Sequence, residues 1–229
     1  MILFFVIALV LAVGIANFAR QRYETALQMG RRASPLPQTA GEVAREFLDS
    51  FEASDVKIVE HNGFITDYFD PKRRCLFLQR SVMNGKNEAA WGIALHEAAH
   101  GVQLRGMARA LEMRAGNIRL TRYVPALAAL FILVLGILKR PPLAFGWRIL
   151  AVIWAIVMVL NAMSLPIEFH ASKLAMAFLE RKLRSDSEAL ERLDAVLKGI
   201  AWRDTAAFLR SPMYCFSALL PVGGRMRPK

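Results

Sequence analysis

The stretch "YVPALAALFILVLGIL", Tyr123 to Leu138, contains no charged residue, and another apolar stretch, "ILAVIWAIVMVLNAMSLP", Ile149 to Pro166, follows it after a short loop. A further apolar run, Ile2 to Phe18, lies at the start of the chain, so that in chain order Tyr123 to Leu138 is the second apolar stretch and Ile149 to Pro166 the third. Each run is near the lower end of the roughly 17 to 25 residues that a membrane-spanning helix needs. Three such runs in a chain of 229 residues, 55% of them hydrophobic, predict an integral membrane protein with about three transmembrane helices.

The N-terminal run is predicted to be a retained membrane anchor. No Lys or Arg precedes it and no clear small-x-small cleavage site follows it, although a signal peptide would need both. Arg20, Arg22, Arg31 and Arg32 follow the run closely. By the positive-inside rule this flank is cytoplasmic. We therefore expect a multi-pass protein of the inner (cytoplasmic) membrane, with its catalytic region on the cytoplasmic side.

The net charge of +11 is spread along the chain and does not gather on one element. No nucleic-acid-binding motif accompanies it, so we expect no nucleic-acid partner. Attraction to anionic lipid at a membrane surface is the expected effect of these charges. Cys75 and Cys215 lack metal-pair spacing, and in a cytoplasmic compartment they are predicted to be free thiols.

The segment after the anchor predicts a helix followed by a small sheet. Thr39 as N-cap and Glu42 three residues later form a capping box, and Val43, Phe47 and Leu48 form the buried stripe of the helix. The short runs "VKIVE", "FITDYF" and "RCLFLQ" are separated by turn signals and predict a small antiparallel sheet or meander. The fold class is therefore an α+β integral membrane protein, mainly helical.

The chain downstream of the sheet predicts further helices. Residues from Asn87 to about Leu104 read as one helix with an apolar, small-residue face, beside the sheet. The segment after the third apolar stretch reads as amphipathic helix with Ser185 or Asp186 as a break and cap. The tail segment "SPMYCFSALLPVGG" is apolar but shorter than a full membrane span.

The helix after the sheet carries "WGIALHEAAHGVQ", Trp91 to Gln103, with a glutamate between two histidines in an otherwise uncharged run. Residues four apart lie on one face of a helix, so His96 and His100 can direct their imidazoles to one point, as two ligands of a tetrahedral metal would. Glu97 is offset by about 100°, which in the HExxH arrangement places it where it can accept a proton from a metal-bound water. A buried Glu without a partner would be costly, which favours a site over a chance match.

Two histidines leave a zinc site short of one protein ligand. His61 lies in a turn and is predicted to be a surface residue. The segment "LPIEFHAS" offers Glu168 and His170 at the end of the third apolar stretch. Residues two apart on a helix point about 200° apart, so only one of these two side chains can face the metal. The chain crosses two apolar stretches between His100 and Glu168, so both segments are expected on the same side of the membrane.

The segments "ITDYFDPKRRCLFLQ", "ALHEAAHGVQ" and "LPIEFHAS" together resemble the membrane-embedded neutral zinc metallopeptidases of bacteria, the YugP type. The resemblance extends from the N-terminal run to about Leu197. In that family the motif histidines and the Glu of a Leu-Pro-x-Glu-Phe segment bind zinc, and the motif Glu is the catalytic base. The resemblance therefore implies Zn²⁺ as cofactor, His96, His100 and Glu168 as ligands, and Glu97 as general base.

This sequence departs from the family pattern at three places. His170 stands where the family usually has Asp or Asn, Tyr68 stands where it tends to have His, and the apolar tail is shortened and interrupted by proline. His170, Tyr68 and Gln103 are candidates for residues that support the ligands or contact substrate. Tyr68, Tyr123 and His170 stay open as alternatives for stabilising the oxyanion.

The apolar stretches and the resemblance together predict four regions: an N-terminal transmembrane anchor (1–18), a cytoplasmic zinc-peptidase region with the HExxH helix (19–122), a transmembrane helical hairpin (123–166), and a third-ligand helix with a C-terminal helical tail (167–229). The expected function is a gluzincin-like, zinc-dependent endopeptidase of the membrane. The alternative is a catalytically inactive membrane scaffold or regulator with a structural metal site. Expected partners are a peptide or protein substrate, including membrane-associated ones, the lipid bilayer, and membrane partner proteins.

Overall fold

The structure, a computed structural model, describes residues 2–62, 66–138, 143–184 and 186–219. Most of these residues are helical, and the helices are α1 (Ile2–Met29), α2 (Ala40–Ser50), α3 (Arg80–Met83), α4 (Glu88–Ile137), α5 (Leu143–Lys182), α6 (Ser187–Ile200), α7 (Arg203–Ala206) and α8 (Ser211–Leu219), with a 3-10 helix at Ala207–Arg210. The sheet contains β1 (Lys57–His61), β2 (Tyr68–Asp70) and β3 (Cys75–Gln79).

The chain forms two compact units. The helical unit consists of the described residues of Met1–Gln21, Met113–Leu165 and Trp202–Pro221. The motif unit consists of the described residues of Arg22–Glu112 and Pro166–Ala201. The HExxH segment and the "EFHAS" segment that follows Pro166 therefore belong to the same unit.

The start of the motif unit follows the sequence prediction. Thr39 caps α2, its side chain accepting a hydrogen bond from the backbone N–H of Glu42, while the Glu42 carboxylate accepts one from the backbone N–H of Thr39. Val43, Phe47 and Leu48 are fully buried. The predicted capping box and the buried stripe of this helix are confirmed, because both depend only on residues within one or two turns.

The predicted antiparallel sheet is wrong in its topology. The sheet is mixed, with strand order β1-β3-β2: β1 pairs parallel with β3, and β2 pairs antiparallel with β3. The most apolar strand takes the centre, where both of its edges are paired, and Leu76, Phe77 and Leu78 are buried. A meander would have left β3 at an edge of the sheet, with this apolar run on one exposed side.

The motif helix and the second apolar stretch belong to one continuous element, α4. Its one non-helical backbone position among the described residues is Met107, with φ −132° and ψ 30°, which separates the motif segment from the apolar continuation. Similarly, α5 continues through Pro166 to Lys182 and carries both Glu168 and His170. A proline within a helix removes one backbone hydrogen bond but does not have to end it in an apolar bundle.

Two helices of the described chain are long and apolar enough to cross a membrane by length and composition, namely residues 106–137 and 145–182. The expected count of about three is therefore corrected to two. The run Ile2–Phe18 is not among them, and its length is at the lower limit for a span. In the helical unit Ala12, Ala16, Val157, Met158 and Phe208 form a buried apolar cluster.

The C-terminal elements agree in part with the prediction. Asp186 caps α6 by accepting a hydrogen bond from the backbone N–H of Ala189, whereas the alternative cap, Ser185, lies outside the described residues. Within the tail, α8 is nine residues long and too short to span a bilayer. Pro212, one of the predicted interruptions of the tail, is the second residue of α8, whereas Pro221 and the two glycines lie in residues 220–229, outside the described part.

Candidate metal centre

The central feature of the motif unit is a group of ionisable side chains without contact to solvent. His96, Glu97 and His100 have 0% of their surface exposed, and one ligand atom from each lies within 4.8 Å of the other two. The helix places them there because Trp91 through His100 is buried throughout. Gly101 assists the burial, since an added Cβ would come within 3.4 Å of Leu48 and Phe69.

Helix α5 places a carboxylate against both imidazoles. Oε2 of Glu168 lies 3.0 Å from Nε2 of His96 and 3.6 Å from Nε2 of His100. Glu168 is 3% exposed. His170, by contrast, is exposed, and its Nδ1 lies 2.7 Å from Nε2 of Gln103. The structure therefore brings Glu168, and not His170, to the Nε2 atoms of the motif.

A hydrogen-bonded amide determines which nitrogen of His100 carries its proton. Nε2 of Gln103 donates to the carbonyl oxygen of Ile167 at 3.1 Å and to Nδ1 of His170. Its Oε1 must therefore face His100, where it accepts a hydrogen bond from Nδ1–H at 2.8 Å. Nε2 of His100 is left with its lone pair.

A serine has the same effect on His96. The Ser172 hydroxyl donates its single proton to the carbonyl oxygen of Leu197 at 2.9 Å. It can then only accept a hydrogen bond from Nδ1–H of His96, at 3.1 Å. Nε2 of His96 thus also presents a lone pair, directly toward the Glu168 carboxylate.

These contacts fit a bound cation. Two imidazole lone pairs and a carboxylate converge, and Nε2 of His100 is a buried atom that makes no hydrogen bond within the described chain. Lone pairs facing one another repel unless a proton or a metal lies between them. Ligand atoms about 2.0 to 2.1 Å from a tetrahedral zinc lie roughly 3.3 Å apart, which the 3.0 and 3.6 Å distances bracket.

Burial also favours the metal-binding form of the first histidine. It lowers the pKa of His96, and the neighbouring Glu168 opposes this only in part. A neutral imidazole is the form that binds a metal. The site therefore offers an uncharged nitrogen ligand near neutral pH.

Glu97 contacts the sheet. Its Oε2 accepts a hydrogen bond from the backbone N–H of Phe69 in β2, at 3.1 Å. The predicted position of the sheet beside the HExxH helix is thus confirmed. A carboxylate held by a backbone donor next to the paired imidazoles can act as a proton acceptor with a defined orientation.

The remaining candidates belong to the sheet and to the helical unit. Tyr68 stacks on Phe77 in the sheet, with ring centroids 4.9 Å apart. His61 is a half-buried residue at the end of β1, and burial lowers its pKa while Asp67 opposes the shift. Tyr123 belongs to the helical unit.

The free-thiol prediction for the two cysteines is confirmed.

The sequence prediction did not include Ser172 or the Phe69 backbone. Ser172 lies four residues after Glu168, and this spacing on a helix was the signal that could have pointed to it. The backbone N–H of Phe69 has no sequence signal, because any residue at that position except proline carries the same donor.

Comparison with known proteins relates these residues to a described group. The chain is 29% identical over 176 residues to "Putative membrane protease YugP" of Bacillus subtilis (strain 168), and the match covers 76% of each chain. No solved structure matches the chain. Residues 1–220 match the family described as "Putative neutral zinc metallopeptidase". The resemblance seen in the three sequence segments is thereby confirmed, and the chain belongs to this zinc metallopeptidase family.

Proposed function

We propose that the protein is an integral-membrane endopeptidase that uses zinc to hydrolyse peptide bonds. The observation that supports this most directly is the convergence of two Nε2 lone pairs and one carboxylate oxygen at a fully buried HExxH helix. His96, His100 and Glu168 would hold the ion. Three protein ligands leave one position for water or substrate, which is typical of catalytic rather than structural zinc sites.

The protein's own groups have distinct roles in this proposal. A bound zinc ion would lower the pKa of a water molecule to about 7 and polarise the substrate carbonyl. Glu97 accepts the proton from the attacking water and later transfers it to the leaving nitrogen. The Phe69 N–H orients Glu97 for both steps, since it holds one carboxylate oxygen at 3.1 Å.

The sheet is the proposed binding surface for an extended substrate. Because β3 is paired on both sides, the open edges within the described sheet belong to β1 and β2. Of these two strands, β2 contacts Glu97, because the backbone N–H of Phe69 donates to its carboxylate. The open edge of β2 is therefore the proposed binding edge. A peptide added to that edge would present its backbone next to the catalytic group.

We place the protein in the inner membrane, with the motif unit on the cytoplasmic side. Two apolar helices are long enough to cross a bilayer, and Leu127, Leu130, Phe131 and Leu133 of α4 each expose more than half of their surface. Apolar surface of this extent is expected to be covered by lipid. The relative of 29% identity carries the name of a membrane protease.

Metal analysis of purified variants tests the proposal. The wild-type protein should carry close to one zinc per chain, and His96→Ala and His100→Ala should lose it because each removes a ligand. Glu97→Gln should keep the zinc and lose hydrolysis of a general peptidase substrate such as casein, since an amide cannot accept the proton. Zinc content unchanged in both histidine variants would overturn the assignment.

The alternative function, a scaffold or regulator with a structural metal site, predicts a different result. In that case wild type and Glu97→Gln would bind zinc equally, and neither would hydrolyse peptide under any condition tried. Turnover by wild type that persists in Glu97→Gln would instead mean that another group accepts the proton.

A further inference from the structure

We propose that Ser172 and Gln103 are positioning residues, which hold His96 and His100 in the Nδ1–H tautomer with both Nε2 atoms directed at Glu168. This inference rests on the proposed zinc site and extends it to residues that do not touch the metal. It also identifies one short segment of α5 as the element that orients both motif histidines.

The inferred direction of the contact to His96 follows from the hydrogen bond that Ser172 donates to Leu197. The Leu197 carbonyl oxygen can only accept, so the Ser172 proton is committed to it at 2.9 Å. Nδ1 of His96 must then donate to the hydroxyl oxygen at 3.1 Å. Ser172 is 5% exposed, so water cannot easily replace it as the acceptor. The ring is thereby held in position and its Nε2 is kept unprotonated.

The contact to His100 is determined in the same way. The carbonyl oxygen of Ile167 can only accept, so the Gln103 side-chain nitrogen must face it, at 3.1 Å. The amide oxygen consequently faces Nδ1 of His100, at 2.8 Å. Gln103 is 4% exposed. A flipped amide would place its N–H against Nδ1–H and its oxygen against a carbonyl oxygen, both of which are repulsive.

Both contacts involve one short segment of α5, from Ile167 to Ser172. Ile167 supplies the carbonyl that orients Gln103, Glu168 contacts both Nε2 atoms, and Ser172 lies four residues later on the same face. The histidines themselves are on α4. This α5 segment therefore determines the orientation of imidazoles that the HExxH spacing alone only places on a common helix face.

Loss of these partners should weaken metal binding specifically. Groups that hydrogen-bond the far nitrogen of a metal-binding histidine typically contribute 10- to 100-fold in metal affinity. Without Ser172 or the Gln103 oxygen, a buried Nδ1–H would also lack an acceptor. Each ring could then exchange to the tautomer with its proton on Nε2, and that nitrogen could no longer bind the metal.

The test for Ser172 compares Ser172→Ala with Ser172→Thr and with Ser164→Ala. Ser164 is a matched control, because it is a serine of the same helix, is 6% exposed, and bonds Asn117 instead of a histidine. Zinc affinity is measured on full-length protein in detergent by competition with a chromophoric chelator. Ser172→Ala should bind zinc 10- to 100-fold more weakly than wild type. Ser172→Thr, which keeps the hydroxyl, and Ser164→Ala should remain within a few-fold.

The test for Gln103 compares Gln103→Leu with Gln103→Glu. The leucine variant removes the acceptor for Nδ1–H of His100 and should lose zinc affinity by the same 10- to 100-fold. The glutamate variant keeps the acceptor oxygen for Nδ1–H but sets its second oxygen against the Ile167 carbonyl, so it should bind zinc more weakly than wild type and more tightly than the leucine variant. Equal losses in both variants would show that Gln103 acts through packing and not through its oxygen.

A second measurement separates positioning from simple stability. The ¹⁵N shifts of the ring nitrogens in zinc-bound wild type should show His96 and His100 protonated at Nδ1 and bound to the metal through Nε2, and this result does not depend on any variant that fails to fold. Protonation at Nε2 would overturn the inference. If wild type binds no zinc at all, the proposed function fails; if it binds zinc and Ser172→Ala binds it equally well, only the positioning role fails.

Discussion

Glu97 is a buried carboxylate whose stability depends on the hydrogen-bond donors around it. A carboxylate with 0% exposure would be strongly destabilising without partners. The backbone N–H of Phe69 supplies one, and it holds one oxygen of the carboxylate in a defined position. The two histidines of the same motif, His96 and His100, direct the lone pairs of their Nε2 atoms toward Glu168.

The residue-scale prediction concerns Glu168 and His170. Glu168→Ala should remove a ligand and its negative charge, so zinc should be lost or held much more weakly, and activity with it. His170→Ala should keep the zinc and change activity by at most about 10- to 100-fold, because His170 contacts Gln103 and not the Nε2 atoms. Metal analysis of both variants decides; metal lost in His170→Ala and kept in Glu168→Ala would mean a three-histidine ligand set.

At the scale of elements, α6 packs closely against the helix that carries the motif. Gly92 of the motif helix lies against α6, where an added Cβ would come within 2.8 Å of Val196 and 2.9 Å of Ile200. Helix α6 also contributes the Leu197 carbonyl that accepts from Ser172. The position of α6 therefore affects the orientation of His96 through one hydrogen bond.

This packing predicts that Gly199→Ala is destabilising. An added Cβ would collide with the Cβ of Ala26 and lie 2.8 Å from the carbonyl oxygen of Arg22, and both atoms belong to α1. Overpacking of this kind costs about 1 to 3 kcal/mol. Gly116→Ala is the matched control, since no atom lies within 4 Å of its added Cβ, and it should be neutral or stabilising by up to about 1 kcal/mol. Thermal unfolding in detergent measures both; equal behaviour of the two variants would contradict the packing argument.

At the scale of the whole molecule, the two compact units differ in the kinds of side chains they contain. The motif unit carries the ionisable group, and the helical unit carries most of the exposed apolar surface. Polar side chains within the helical unit pair with one another, as Asn117 does with Ser164 and Asn161 with Thr121. Such internal pairing is required where lipid offers no hydrogen bonds.

The whole-molecule prediction is a membrane topology. A reporter fused at residue 60 and one fused after residue 185 should both report the cytoplasmic side, while one inserted near residue 141 should report the outside. The proposed topology has two crossings between the first pair of positions, because α4 and α5 each contain one helix long and apolar enough to cross a membrane. Cysteine accessibility to an impermeant reagent provides an independent measurement. Opposite sides for residues 60 and 185 would separate His100 from Glu168 and exclude the proposed zinc site.

Local features of the chain could be predicted from its sequence because they depend on residues within one or two turns. The capping box of Thr39 and Glu42 is one example, and the placement of His96 and His100 on one buried helix face is another. The strand segments were also predicted, but their pairing was not. Hydrophobic patterns indicate which segments form strands, whereas strand order depends on which strand can be buried at both edges.

Sequence alone thus identified the family, and it predicted the two motif histidines as ligands and Glu97 as the base. Only the tertiary structure decided that Glu168 rather than His170 lies against the imidazoles, 72 residues from His96 in the chain, and that Ser172 and Gln103 orient them. The physical reason is the distance along the chain over which a sequence pattern constrains the structure. Helical periodicity relates residues a few positions apart, but it leaves the rotation of α5 against α4 undetermined, and that rotation depends on packing over the entire motif unit.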